Sequence, residues 1–249
     1  MTHRTTEGAG TRLATSPPPE TGGLESLLAH LQLTDSGFPS GLYTLSHGLE
    51  GHVQLRLAGA EDLPVLVSDL VRAAGTSDAA ALVLAHRAVT ADDWDRLLET
   101  DRRLHAIKLN REQRTASVRT GRQVLDSAGP AFASAPAARL ARLVADRTTP
   151  GNHGVVVGAV HAGLGVPVEH AVAGDLYAFA ASCAAASVRL GRIDFRRAQA
   201  LLREIRPDLV RAAGVALAAR DPRDLHSTVP AADAVSAVHE RAEARLFIT

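Results

Sequence analysis

The chain has 249 residues, 46% hydrophobic and 22% charged, with 27 basic residues against 27 acidic ones and aromatics at only 3%. Zero net charge excludes attraction of the chain as a whole to nucleic acid or anionic lipid, and the lone cysteine, Cys183, excludes an internal disulfide or a CxxC metal or redox site. No basic start followed by an apolar run marks a secretion signal, so the cytoplasm is the expected compartment.

With few aromatics, alanine, leucine and valine must fill the interior, which favours close-packed helices over a sheet. Residues Met1 to Gly23, with "SPPPETGG", have too little apolar surface to offset chain ordering and are expected to be a disordered tail. From residue 24 to 249 one compact helical domain is expected, because the breaks at Gly129-Pro130, Thr149-Pro150-Gly151 and "DPRDLHSTVP" are short turn signals. Leu24, Leu27, Leu28 and Leu31 follow the spacing of an amphipathic helix. Ser40 is read as the N-cap of a helix starting near Gly41, on whose face Tyr43, Ser46 or His47, and Glu50 would align.

"GHVQLRLAG", Gly51 to Gly59, alternates like a strand but has no partner strand, so loop or helix is expected. Helices are predicted over Glu61 to Ala74, Asp78 to Val89 and Thr90 to Lys108, the last opened by a capping-box-like Thr90 and Asp93. Others follow over Arg111 to Ala128, Ala137 to Arg147, Val155 to Leu164, Glu169 to Leu190, Asp194 to Glu204, Pro207 to Ala219 and Ala231 to Phe247. The result is an all-α bundle of about ten helices. "AVAGDLYAFAASCAAASVRL" carries Asp175 and is alanine-dominated, so it reads as a core helix rather than a membrane span.

Chemistry-bearing patterns are sparse. "GFPSG" lacks the Gly-x-Ser-x-Gly register and preceding strand of a nucleophile elbow. Eleven histidines include no HExxH pair and no convincing i, i+4 pair, so no metal site or cofactor is expected; His47 and His239 read as structural or solvated. The glycines of "GNHGVVVGAVHAGLG" fit no phosphate loop, but Gly154 and Gly158 lie four apart, which on a helix lets a neighbouring backbone approach closely. Arg111, Arg114, Arg119 and Arg122, with Glu112, form a basic stretch. A helical DNA-binding regulator is the alternative it supports, with steeply salt-dependent affinity; the neutral chain and the lack of interleaved aromatics favour a solvated or protein-contacting face.

Three stretches together resemble the urease accessory protein F (UreF) family. Leu31, Gln32, Leu33, Asp35, Ser36, Phe38, Pro39, Gly41, Tyr43, Ser46, Gly48, Leu49 and Glu50 fit its opening pattern. Glu112, Arg114, Ala116, Ser117, Arg119, Gly121 and Arg122 fit a central run, and His239, Glu240, Arg245, Leu246 and Phe247 fit a closing "HE-RLF". The chain departs from the family after the long core helix, where "SVRLGRIDFRRAQ" keeps Val188, Arg189, Leu190, Gly191 and Asp194 but lacks the usual Pro-Leu. The resemblance implies a non-enzymatic, dimerising scaffold of urease maturation that binds accessory protein D (also called H) and recruits the accessory GTPase G, which carries nickel to apo-urease through the complex. It also implies that Tyr43, His47, Glu50, the central Glu112, Arg114, Arg119 and Arg122, and the closing His239, Glu240, Arg245, Leu246 and Phe247 face partners. No nucleic acid or membrane partner is implied.

Overall fold

The computed structural model describes residues 22–227, 234–235 and 246–247. Most of the expected tail, residues 1–21, lies outside these, as does most of the helix expected over Ala231 to Phe247. Among the described residues the chain is all helical, with no strand. The α-helices are α1 (Gly22–Thr34), α2 (Leu49–Gln54), α3 (Leu63–Thr76), α4 (Asp78–Thr90), α5 (Trp94–Ile107), α6 (Arg111–Phe132), α7 (Ala135–Ala145), α8 (His153–Gly163), α9 (Val168–Arg189), α10 (Phe195–Glu204) and α11 (Arg206–Ala218). Helix α1 begins at Gly22, so the last two residues of the expected tail are already helical.

Two helices form the centre. In α4 every residue from Ala79 to His86 is buried, and in α8 every residue from Gly154 to His161. Neither has a polar face, as expected of helices covered on all sides. They touch each other along their length; α3, α5, α9 and α11 pack around α4, and α6, α7 and α9 around α8. The expectation from the four-residue glycine spacing holds: a Cβ at Gly154 would strike the carbonyl of Asp78, and one at Gly158 the carbonyl of Leu82. The backbones meet directly because neither glycine interposes a side chain.

Asp101 locks the entrance of α8. It is fully buried on α5, yet its carboxylate accepts from the Thr149 hydroxyl (2.6 Å), the amides of Gly151 (2.7 Å) and Asn152 (2.9 Å), and Asn152 Nδ2 (2.7 Å). Buried charge is tolerable only when hydrogen-bonded in this way. Elsewhere, helix starts are fixed by local caps: Asp93, Asn110 and Asp194 accept from Arg96 N (3.0 Å), Gln113 N (2.7 Å) and Arg197 N (2.7 Å).

Three local expectations are corrected. Thr90 does not open α5; its hydroxyl donates back to His86 O (2.9 Å), which ends α4 instead. Gly129-Pro130 does not break α6, because Pro130 lies in the last turn and costs at most one backbone bond before Ala133 turns left-handed at φ 49°. The alternating Gly51 to Gly59 stretch, by contrast, is helix through Gln54 and then loop, as expected. The leucine stripe of α1 faces outward: Leu24 and Leu28 are 59% and 66% exposed, and the helix packs on α9 instead through residues such as His30, Leu33 and Thr34.

The core helix expected over Glu169 to Leu190 is α9. It is the one described helix long and apolar enough to cross a membrane, and it buries Ala171, Val172, Leu176, Ala180, Cys183, Ala184 and Ala186 against the bundle. Burial pushes the Cys183 thiol upward, so it stays protonated and inert.

Two glycine substitutions test this packing in opposite directions. Gly158→Val should destabilise the fold by about 3 kcal/mol, since it forces side-chain atoms into the α4 backbone. Gly214→Ala in α11, where an added Cβ meets nothing, should stabilise by up to ~1 kcal/mol. Both are read by urea unfolding.

Candidate functional site

After α1 the chain makes a run of tight reversals. Gly41 is left-handed at φ 81°, a 3₁₀ turn covers Leu42–Thr44, and His47 and Gly48 are both left-handed at φ 54° and 87° before α2 begins. Tyr43, His47 and Glu50 therefore do not share a helix face, as the spacing suggested; consecutive positive-φ residues break any continuous helix there. Ser40 plays the role expected of it only weakly, its hydroxyl accepting from Leu42 N at 3.4 Å.

The turn aims Glu50 inward. Glu50 is 3% exposed, and its two carboxylate oxygens accept from the amides of Leu246 (2.7 Å) and Phe247 (3.0 Å), 196 and 197 residues away. Gln54 Nε2 donates to the same carboxylate (3.2 Å), and the hydroxyl of the fully buried Ser46 accepts from Glu50 N (3.3 Å). Phe247 is buried at 4% exposure while Leu246 is 63% exposed. Arg189, at the end of α9, places its guanidinium over the Phe247 ring at 4.2 Å and over the Tyr43 ring at 4.0 Å. The opening and closing motifs thus meet in one clasp: a carboxylate grips the tail backbone, and an arginine sandwiched between two aromatic rings holds its side chain.

His47 supports the clasp from below. Its ring lies 4.5 Å from that of Phe179, and its Nε2 is 3.1 Å from Ser182 Oγ, which itself donates to Leu42 O (3.1 Å). The serine's proton is therefore committed to the carbonyl, so His47 Nε2 donates to Ser182. Desolvation lowers the His47 pKa to about 3, with His153 a smaller contribution, so the ring stays neutral. A histidine that donates toward a serine and hardly takes up a proton is poorly suited to activating it as a nucleophile.

Below lies a cavity of about 170 Å³ with apolar walls, into which His47, Asp78, Lys108, His153 and Asp175 project. Its polar groups close in pairs: Lys108 Nζ with Asp78 at 2.6 Å and His153 Nε2 with Asp175 at 3.2 Å. Among the described residues no group of three or more histidine, cysteine or acidic side chains is placed to hold a metal ion.

The central basic stretch separates. Arg119 Nη2 donates to Thr44 Oγ1 (2.6 Å) and so braces the turn carrying Tyr43. Arg114 instead donates to the carbonyls of Lys108 (2.5 Å) and Leu109 (3.0 Å) at the exit of α5. Glu112 is buried and Arg122 exposed. His239, Glu240 and Arg245 lie outside the described residues. Sequence reasoning did not anticipate Ser182 or the stacking of Arg189; the only available signal for the latter was its place in the family-like Val-Arg-Leu.

Fold and site define a class: an all-α protein whose candidate site is a clasp that joins the turn after α1 to residues 246 and 247. Comparison with known proteins makes this specific. A UreF family model matches residues 57–206. The chain is 32% identical over 226 residues to urease accessory protein UreF 2 of Brucella canis, covering 90% of this chain and 93% of the relative. It is 29% identical over 224 residues to urease accessory protein UreF of Yersinia enterocolitica, covering 89% and 97%. The chain belongs to the UreF family of urease accessory proteins.

Two outcomes follow for the site. Glu50→Gln keeps the size of the side chain but replaces one acceptor by an N–H₂ donor facing an amide, so hydrogen exchange at Leu246 and Phe247 should accelerate by about tenfold or more. The second concerns pH. Burial lowers the pKa of His47 to about 3 and that of His161 to about 4, so between pH 6.5 and those values the unfolded chain binds protons that the folded chain does not. Stability present above pH 6.5 is therefore lost as the pH falls, and unfolding titrations of His47→Gln should show a shallower loss than the parent.

Proposed function

We propose that the chain is a non-enzymatic scaffold of urease maturation that binds accessory protein D (H) and recruits the accessory GTPase G, which brings nickel to apo-urease. On this reading it works in the cytoplasm as a homodimer, and bond-making belongs to its partners. The observation that carries the proposal is the grip of Glu50 on the Leu246 and Phe247 amides, with Arg189 between Tyr43 and Phe247. The family membership supports it independently.

The clasp is suited to a scaffold because it presents a composite surface. It buries Phe247, leaves Leu246 and Tyr43 open at 63% and 66% exposure, and sets the C-terminal end beside the turn after α1. Burying the phenylalanine contributes roughly 1.5–3 kcal/mol, enough to decide whether a terminal segment is held or frayed. Anything that contacts both Tyr43 and Leu246 recognises the closed clasp rather than either segment alone. Arg245 directly precedes the gripped residues in the sequence, and on this reading it contacts partners, as do His239 and Glu240.

Co-purification with the D and G proteins tests this. Glu50→Gln and Arg245→Ala should each reduce recovery of G by about tenfold relative to the parent chain, given the cost of truncating one partner of a charged contact. Recovery of G at parental levels from both variants would remove the recruiting role.

A further inference from the structure

The open side of α9 borders a second, larger cavity, about 680 Å³, running from the Leu33–Tyr43 turn across α9 to α10. Its walls are largely apolar, and two large residues stand open at its rim, Tyr177 at 50% and Phe195 at 77% exposure. Phe195 is the most exposed of the large hydrophobic side chains among the described residues.

Charge is uneven along it. Of the acidic groups lining it, Asp175 pairs with His153, and Asp35 lies at the far end, in the turn after α1, where it accepts from Gly37 N (2.7 Å). On α10 and just before it, outside the lining itself, Arg197 is paired with Glu204 (3.1 Å), but Arg192, Arg196 and Arg203 are exposed and have no ion pair among the described residues. Arg196 and Arg203 lie seven residues apart, two turns along one side of α10, beside Phe195.

Arg189 also lines this groove. Its Nε and Nη2 are shielded from solvent by their surroundings and have no hydrogen-bond acceptor. An unpaired, shielded guanidinium edge is costly, and the group that fits its fork is a carboxylate. Tyr43, two-thirds exposed on one face of that guanidinium, is the cover most easily moved.

We propose that this groove docks a segment of a partner protein that carries acidic residues among apolar ones. An apolar side chain packs between Tyr177 and Phe195, the carboxylates face Arg196 and Arg203, and one of them reaches the shielded edge of Arg189 when Tyr43 is displaced. Charge selects this occupant over a second copy of the chain, because a two-fold contact through this groove would set its arginines against their own images. The inference rests on reading the chain as a scaffold and adds the chemistry of a partner segment at a place separate from Glu50.

The test pans phage-displayed random peptides on the full chain, with counter-screens against Arg196→Glu/Arg203→Glu and against Phe195→Ser. These residues are exposed and leave the Glu50 clasp untouched, and circular dichroism checks that the variants fold. Selected peptides should be rich in Asp or Glu next to Leu or Phe, bind each variant at least about tenfold more weakly, and keep most of their affinity for Arg196→Lys/Arg203→Lys. Four results would overturn the proposal: no selected peptides, peptides without acidic enrichment, equal binding to the variants, or displacement by double-stranded DNA at physiological salt. So would a parent dimer that the double charge reversal turns into a monomer in sedimentation, since the groove would then lie between copies. Loss of D and G from the Glu50→Gln protein is scored separately, so failure of the groove and failure of the scaffold reading are distinguishable.

Discussion

The structure depends on how closely α4 and α8 approach. Gly154 and Gly158 let the α8 backbone rest on the carbonyls of Asp78 and Leu82, so the two central helices meet with no side chain between them. This sets the position of everything carried at their ends. Asp78, at the start of α4, holds Lys108, while His153, at the start of α8, holds Asp175 on α9. Asp101 fixes the loop that feeds α8 with four hydrogen bonds. A thicker contact between α4 and α8 would move α9 outward and with it Ser182 and Arg189, the residues on which the clasp is built.

The clasp combines forces that are weak singly. A buried carboxylate is unfavourable unless donors surround it, and two of the donors to Glu50 are backbone amides of a distant segment. The carboxylate therefore stabilises the docked tail, and the docked tail makes the buried carboxylate tolerable. Arg189 supplies positive charge nearby while its flat faces carry Tyr43 and Phe247. His47, kept neutral by desolvation, adds hydrogen bonding beneath the turn without adding charge. Such a site is cooperative: removing Glu50 leaves the Leu246 and Phe247 amides short of an acceptor, and undocking the tail leaves the buried Glu50 short of two donors.

Much of the fold was legible in the sequence because it is local. Amphipathic spacing and the four-residue interval of Gly154 and Gly158 act within one or two turns, so most helices fall within a few residues of their expected bounds, whereas the caps Asp93 and Asn110 were not read as such. The outward leucines of α1 were not legible, since a periodic stripe reports amphipathicity and not which way it faces. Nor was the turn after α1: His47 is a non-glycine residue in a left-handed conformation, which periodicity cannot signal. The clasp is harder still. Nothing in the composition of residues 46–54 points to a carboxylate whose partners lie 196 residues on; only the resemblance of both ends to one family links them.

Arg189 touches both the clasp and the groove. One of its faces holds the tail through Phe247, the other faces Tyr43, and it lines the groove with Phe195 while its own edge stays shielded. A ligand that reaches that edge by displacing Tyr43 also alters the charge and packing against which Phe247 rests. Linkage then requires reciprocity: if an occupant of the groove favours the docked tail, the docked tail favours that occupant by the same factor. The coupling needs no motion of the bundle, because α9 carries both sites on one rigid helix, with Tyr177 and Arg189 along its open side and Ala180, Cys183 and Ala184 fixed in the core. On that proposal the clasp and the α10 groove are two contacts on a single helix, and the side chain they share is Tyr43, which both lines the groove and stacks on Arg189.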